Sequence, residues 1–143
     1  KETDENLKPI LSWVSCVSFV KRIRAGYSVS YGRTFVADRE MLVATIPVGY
    51  ADGYNRLLSN RGYVIISGKR CKVLGRVCMD QFVVDISHIE KPVSIGDEVV
   101  IVGTQEGESI TAEEIANLCG TINYEVVCSI SSRVPRVYKK GVN

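Results

Sequence analysis

The stretch Val29-Ser30-Tyr31-Gly32-Arg33-Thr34-Phe35 places a tyrosine in a tight Ser-Tyr-Gly turn between two apolar runs. Glycine allows the backbone to bend where a side chain would clash, so the phenol of Tyr31 is predicted to project from the end of a strand. A lone tyrosine in such a turn more often buries its ring and leaves its hydroxyl in water. The turn alone does not distinguish a structural tyrosine from a functional one, and the rest of the chain has to decide.

The composition is that of an ordinary globular domain. At 143 residues the chain has the length of one domain, and its hydrophobic content of 45% is enough for a core. Charged residues make up 24% and the net charge is only +2, which argues against a disordered segment and against a nucleic-acid binder. No apolar run approaches the roughly 20 residues that span a bilayer. We therefore expect neither nucleic acid nor membrane as a partner.

The chain begins with polar and charged residues, Lys1 to Asn6, without an initiating Met and without a secretory signal. This beginning favours a piece of a longer protein or a processed form, although a cloning boundary would look the same. Residues 1–6 are predicted to be a linker or the tail of a preceding region, and residues 7–140 to form the domain.

The cysteines predict thiols and not a metal site. They are Cys16, Cys71, Cys78, Cys119 and Cys128. No pair has the Cys-x-x-Cys spacing and the one histidine is His88, so no metal is expected. An odd number of cysteines scattered through β-rich sequence fits reduced, mostly buried thiols of a cytoplasmic protein.

Most of the chain reads as short strands. The predicted strands are Trp13 to Val20, Met41 to Val48, Gly62 to Ser67, Arg70 to Leu74, Val77 to Ile86, Glu98 to Val102 and Val126 to Val137. Gly68-Lys69 is a hairpin signal, and Gly103 to Glu108 reads as a polar loop.

Ser109 to Leu118 is the one predicted helix, capped by Thr111 with Glu114 three residues on and stopped by Gly120. The expected fold is mostly β, an antiparallel barrel or sandwich of short strands with one short helix near residues 110–119.

Three further stretches accompany the tyrosine turn: Pro47-Val48-Gly49-Tyr50-Ala51-Asp52-Gly53, Gly75-Arg76-Val77-Cys78-Met79-Asp80-Gln81 and Thr121-Ile122-Asn123-Tyr124-Glu125-Val126. In this order they resemble the C-terminal domain of the alanine racemases, which use pyridoxal 5'-phosphate. The resemblance runs from Leu7-Lys8-Pro9 to Arg133-Val134-Pro135-Arg136.

Read without the resemblance, the chain looks incomplete as an enzyme, because it has no glycine-rich phosphate loop before a helix and no lysine in a setting that signals covalent attachment of a cofactor. The resemblance implies that the cofactor lysine lies in an N-terminal (β/α)8 barrel that is absent here. It also implies a head-to-tail homodimer, in which this domain of one subunit closes the active site of the other. The full-length enzyme would interconvert L-alanine and D-alanine in the bacterial cytoplasm for cell-wall synthesis, and this part alone would be inactive.

The resemblance also implies roles for individual residues. Tyr31 matches the catalytic tyrosine that removes the α-proton from the L-enantiomer. Tyr50 matches the tyrosine that narrows the substrate entrance, and the backbone N–H of Met79 would hold the substrate carboxylate. Tyr124 matches the tyrosine that hydrogen-bonds the cofactor phosphate.

Two charged residues have less certain roles. Arg76 and Asp80 are expected to line the entryway, with an ordinary strand-end ion pair as the alternative interpretation. Arg133 and Arg136 are interpreted as structural residues.

Other functions remain open at this point. A racemase for serine or another amino acid would carry the same domain, and Tyr124 favours alanine because it keeps the bulky residue expected for a small substrate. An amino-acid decarboxylase shares the architecture, but the Ser-Tyr-Gly and Cys-Met-Asp-Gln segments look like a racemase. A stand-alone β-barrel binding module is the alternative from another class.

Overall fold

Short apolar runs separated by turns build the fold, a pattern that favours strands over helices. In the computed structural model, which describes residues 8–139, the chain forms ten strands and two helices. The strands are β1 (Trp13–Cys16), β2 (Phe19–Ile23), β3 (Ser28–Val29), β4 (Phe35–Val36), β5 (Met41–Ile46), β6 (Tyr63–Ile66), β7 (Lys69–Leu74), β8 (Phe82–Asp85), β9 (Glu98–Gln105) and β10 (Glu108–Ile110). The helices are α1 (Ala112–Cys119) and α2 (Asn123–Ser129), and 3₁₀ turns cover Tyr31–Arg33 and Arg56–Leu58. The predicted linker, residues 1–6, and the predicted domain ends at residues 7 and 140 lie outside the described residues.

The main sheet is a ladder of antiparallel pairs in the order β1-β9-β6-β7-β8-β5-β2, with β10 added to β9. Its two end strands, β1 and β2, are joined in the chain by Val17 and Ser18. The N–H of Val17 donates to Asp97 O (2.9 Å) and that of Ser18 to Thr45 O (3.0 Å), so two residues carry the chain from one end of the ladder to the other. The predicted mostly β, antiparallel fold is confirmed, as a sheet that does not close into a barrel within residues 8–139.

The main core centres on three aromatic rings. The ring of Tyr54 stacks on Phe82 with centroids 4.5 Å apart, and its centroid lies 6.3 Å from that of the Trp13 ring, which meets it edge to face. Tyr54 is 1% exposed, and its hydroxyl has no hydrogen-bond partner among the described residues. Burial raises the pKa of the Tyr54 phenol well above its usual range, with a smaller contribution from Cys119, so this phenol stays neutral in the folded protein.

A second, smaller core lies under the tyrosine turn. Its members are Ile23, Val29, Ala37, Met41, Val43 and Leu74. Val29 is the last residue of β3, which pairs with β4 on the other side of the turn. Burial of Val29 therefore fixes the strand from which Tyr31 projects.

The structure corrects three of the strand predictions and one loop prediction. The predicted strand Val126 to Val137 is wrong: its start belongs to α2, and the chain is irregular after Ser129. Trp13 to Val20 is divided between β1 and β2, because Val17 and Ser18 turn the chain toward different partners. Within Val77 to Ile86 only β8 is a strand, and the predicted loop Gly103 to Glu108 is mostly β9 and β10.

The predicted hairpin is confirmed, since β6 and β7 pair in register from Tyr63 opposite Lys72 to Ile66 opposite Lys69. Its turn residues are Ser67 and Gly68, one position earlier than predicted. Both have positive φ, 49° and 67°, as the tight turns that match strand twist require.

The predicted helix is confirmed as α1. The Thr111 side chain accepts a hydrogen bond from the N–H of Glu114 (3.1 Å), and Gly120 ends the helix in the left-handed conformation at φ 70°. The Glu114 carboxylate does not complete a capping box. It accepts two hydrogen bonds from Arg70 instead, of 2.6 and 2.9 Å. Arg70 also donates to Glu108 (3.0 Å), so one guanidinium ties β7 to β10 and α1.

Candidate functional site

The Tyr31 turn (residues 29–35) holds its tyrosine out from the surface. Ser30 and Gly32, on either side of Tyr31, both have positive φ, 65° and 72°, and the Tyr31 ring is 74% exposed. A left-handed serine costs free energy and persists only where its surroundings fix it. Here the hydroxyl of Ser30 donates to Arg76 O (2.7 Å) and lies 3.3 Å from the sulfur of Cys78.

The base of this turn is fixed from a second direction. The Asn60 side chain accepts from the N–H of Gly75 (2.6 Å) and donates to the hydroxyl of Thr34 (3.1 Å). Gly75 has φ 74°, and a Cβ there would lie 2.5 Å from Val29 O. The backbone of the Tyr31 turn is therefore held tightly, whereas its tyrosine ring is left to solvent.

Arg76 lies directly against the same turn. Its side chain is half-buried, and its Nε lies 3.1 Å from the position that a Cβ on Gly32 would take. Among residues 8–139 it makes no ion pair with Asp80, because Asp80 pairs with Arg133 instead. The alternative interpretation, an ordinary ion pair, therefore applies to Asp80 and not to Arg76, whose guanidinium lies beside Gly32 of the Tyr31 turn.

The Gly49 loop (residues 47–53) and the Met79 loop (residues 75–81) are joined backbone to backbone. The N–H of Tyr50 donates to Cys78 O and that of Ala51 to Met79 O, both at 3.0 Å. Gly49 makes this approach possible, because a Cβ there would clash with the carbonyl oxygens of Cys78 and Met79. The side chains of Tyr50 and Met79 are about half exposed, at 48% and 51%.

The backbone N–H of Met79 has no acceptor among the described residues. The neighbouring Cys78 N–H is satisfied by Gln81 O (2.9 Å). An unpaired backbone N–H is suited to a carboxylate ligand, since it can donate a hydrogen bond to the charged oxygen without giving up another partner.

Tyr124 belongs to a different part of the surface. It lies on α2 with its ring 75% exposed, on the wall of a groove of about 850 Å³. The groove is lined mainly by the extended segment 8–12, by β9 and β10 and by the two helices, and none of the three loops contributes to it. The structure thus brings together Tyr31, Tyr50, Arg76, Met79 and Asp80 through contacts between their loops, whereas Tyr124 lines a groove to which none of the five contributes.

Several residues that shape the site are not evident from sequence. Asn60 is the clearest case, since it is left-handed at φ 58° and bonds both to Gly75 and to Thr34. Asparagine tolerates that conformation, so Ser59-Asn60 signals a turn, but nothing local points to the partners of the side chain. The ion pair between Asp52 and Arg133 (3.4 Å) likewise has no local signal in the sequence.

Neither helix among the described residues has the length and apolar character to cross a bilayer. In the same part of the chain, no three His, Cys, Asp or Glu side chains are grouped so that they could hold a metal ion. All five cysteines are free thiols.

Comparison with known proteins finds a family whose members share both the sequence and the fold. The family model described as alanine racemase, C-terminal domain, matches residues 10–138. An alanine racemase of Clostridium novyi is 51% identical over 140 residues, which cover 98% of this chain and 36% of that protein. The chain therefore spans about a third of the length of the relatives it matches.

Solved structures give the same result. The crystal structure of alanine racemase from Bacillus anthracis with bound L-Ala-P is 39% identical, with a TM-score of 0.89 over 96% of this chain and 34% of that one. The alanine racemase from Bartonella henselae with covalently bound pyridoxal phosphate is 32% identical, with a TM-score of 0.83 over 90% of this chain and 34% of that one.

Proposed function

The chain belongs to the alanine racemase C-terminal domain family, and from this premise we propose that it completes the active site of a pyridoxal-phosphate-dependent alanine racemase. Residues 7–140 are this domain, residues 1–6 are a linker, and a (β/α)8 barrel that carries the cofactor lysine precedes them in the full-length protein. The domain serves the active site of the partner subunit in a head-to-tail homodimer. The enzyme acts in the bacterial cytoplasm and supplies D-alanine for the cell wall.

The observation that carries this proposal is the Tyr31 turn. Racemisation needs two proton-transfer groups on opposite faces of the α-carbon. Each base must be held within hydrogen-bond reach of the proton that it removes. Tyr31 is 74% exposed on a backbone that Ser30 and Asn60 hold from two sides. A tyrosine whose backbone is fixed and whose ring is exposed to solvent suits an active site that is shared between two subunits.

The neighbouring residues have complementary roles in this proposal. The free N–H of Met79 donates a hydrogen bond to the substrate carboxylate, and Arg76, beside Gly32, adds a positive charge to the Tyr31 turn. Tyr50 narrows the entrance, which limits the size of the substrate side chain. Asp80 lies at the entryway, where its carboxylate accepts a hydrogen bond from Arg133 (2.5 Å). The relatives are alanine racemases, which favours alanine over serine as the substrate.

Tyr124 is the residue of this chain that would hold the cofactor. Its exposed phenol on the wall of the groove can donate a hydrogen bond to a phosphate oxygen, so Tyr124 is suited to hold pyridoxal phosphate. When bound, pyridoxal phosphate supplies the electron withdrawal that makes the α-hydrogen acidic. The contribution of this chain is to hold the phosphate at Tyr124 and to move a proton at the Tyr31 oxygen.

The proposal is tested by Tyr31→Phe in the full-length racemase that contains this domain. The ring stays and only the base is lost, so exchange of the α-hydrogen of L-alanine with deuterated solvent should fall by about 10²–10⁴-fold. Exchange from D-alanine should fall less, because another group serves that face. Proton NMR of each enantiomer in deuterium oxide measures both rates.

Tyr27→Phe is the matched control, since it removes the hydroxyl of a tyrosine that is 48% exposed and lies outside the three loops. It should leave both exchange rates unchanged. Equal and complete loss of exchange from both enantiomers in Tyr31→Phe, with the cofactor still bound, would show that Tyr31 is not the base for the L-face.

A further inference from the structure

Arg133 lies in the irregular segment after α2 and reaches two loops of the site at once. Its Nη2 lies 2.5 Å from Oδ1 of Asp80, and its Nε lies 3.4 Å from Oδ1 of Asp52. Asp80 follows Met79 in the Met79 loop, and Asp52 follows Tyr50 and Ala51 in the Gly49 loop. One guanidinium is therefore shared by the two loops that carry the substrate-facing residues.

Asp52 is the inner member of this group and its side chain is only 12% exposed. Its other oxygen, Oδ2, accepts from the N–H of Gly49 (2.8 Å), and its carbonyl accepts from the N–H of Ser131 (3.0 Å). The carboxylate thus closes the Gly49 loop on itself, and its negative charge is paired by Arg133 alone among the described residues. Removing Arg133 would leave a nearly buried carboxylate without a counter-charge.

The segment that presents Arg133 is itself held in one shape. Arg136 donates to the carbonyl oxygens of Ser131 and Val134, both at 2.6 Å, and to that of Ile130 at 2.7 Å. Ser131 is also bonded to the Gly49 loop. The guanidinium of Arg133 therefore approaches the loops from a fixed backbone.

We propose that Arg133 is a positioning residue that sets the distance between the Tyr50 side chain and the free N–H of Met79, by holding Asp52 and Asp80 on one guanidinium. The proposal rests on the proposed function for its effect on catalysis. The planar fork of arginine donates to two carboxylates in fixed directions, whereas the donors of a lysine ammonium all leave one freely rotating nitrogen and fix the two directions less well. Loss of Arg133 frees the Met79 loop to move away from the Gly49 loop, and the carboxylate site then widens.

The first test uses the 143-residue chain and needs no enzyme activity. In Arg133→Gln the amides of Tyr50 and Ala51 should exchange with deuterium about 5–30-fold faster than in the parent chain. Arg133→Lys should recover only part of this protection. The amides of β6 and β7, distant from the change, serve as the internal reference for a folded protein.

Arg22→Gln is the matched control, because Arg22 pairs with Glu40 (2.9 Å) on an exposed part of the surface away from the loops. It should leave the exchange of both amides unchanged. Rates within twofold of the parent in Arg133→Gln, or full protection in Arg133→Lys, would overturn the proposal.

The second test uses the full-length racemase. Arg133→Gln should raise KM for alanine about tenfold and lower kcat less, because a displaced N–H weakens carboxylate binding more than it moves the base. Faster amide exchange with an unchanged KM would overturn the catalytic half of the proposal. If the parent enzyme had no racemase activity, the proposed function would fail, and the amide exchange would still decide whether Arg133 positions the loops.

Discussion

Gly49 marks the point at which the Gly49 loop and the Met79 loop come closest. The contact is between backbones, and neither the carbonyl of Cys78 nor that of Met79 can move aside as a flexible side chain would. The hydrogen bonds from Tyr50 and Ala51 depend on this approach. The geometry of the site is thus determined by a residue that has no chemistry of its own.

We expect Gly49→Ala to lower the free energy of unfolding by about 2–3 kcal/mol, the upper part of the usual cost of overpacking. Its φ is not in the left-handed region, so the loss is steric. Gly26→Ala is the control, because Gly26 has φ 83° and nothing lies within 4 Å of a Cβ there. That change should cost about 1 kcal/mol from backbone strain alone. Urea denaturation of both variants measures the difference, and equal losses would contradict the steric explanation.

The two helices differ in how far their own residues specify them. α1 has a capping threonine, acidic residues in its first turn and a glycine stop, so sequence alone predicts it. α2 has no side-chain cap, since Ile122 occupies that position, and its aromatic and β-branched residues favour a strand locally. It is helical because of distant contacts, such as Asn123 Nδ2 to Glu113 Oε1 (2.7 Å).

The candidate site divides in the same way. Short motifs carry Tyr31 and Met79 and the resemblance assigns their roles, so these residues are predictable from the chain. The residues that hold them, Asn60 and Arg133, form hydrogen bonds with residues far away in sequence, and no local sequence pattern predicts such contacts. Sequence therefore indicates Tyr31 and Met79 as candidate site residues more readily than it indicates the residues that hold them in place.

At the level of the helix, Thr111→Ala should lower the free energy of unfolding by about 1 kcal/mol, because the N–H of Glu114 loses its acceptor. Thr111→Ser keeps the oxygen and should lose little. Denaturant unfolding monitored by far-UV circular dichroism compares the two variants. An equal loss in both would mean that the methyl group of Thr111, and not its hydroxyl, supports α1.

At the scale of the whole molecule, the core of residues 8–139 buries the thiol of Cys71 and the phenol of Tyr54 almost completely and keeps both neutral well above pH 7. Burial, with a smaller contribution from the charge of Asp85, raises the pKa of the Cys71 thiol to about 12. Tyr54 is neutral for the same reason. In the unfolded chain a thiol loses its proton at about pH 8.5. Above that pH the unfolded state therefore binds fewer protons than the folded state.

The free energy of unfolding should therefore be constant with respect to Cys71 below about pH 8.5 and fall as the pH rises from there toward 12, by up to about 1.4 kcal/mol per pH unit. Cys71→Val should flatten this slope, and the remaining slope above about pH 10 should come partly from Tyr54. Urea denaturation at a series of pH values from 7 to 11 makes the measurement. Cys16→Val, at an exposed position, is the control; an unaltered slope in Cys71→Val would refute the assignment.

The short connection at Val17 and Ser18 has a consequence for the order of events on the ribosome. β2 can pair with β5 soon after both emerge, but β1 pairs with β9, whose Val102 lies opposite Trp13 and is synthesised much later. Until then β1 offers an open edge, and β6 also lacks its β9 neighbour. Unpaired edges recruit other chains, and pairing over long separations is slow. During synthesis there is therefore an interval in which β1 has no partner, and a chaperone would protect the chain most in that interval.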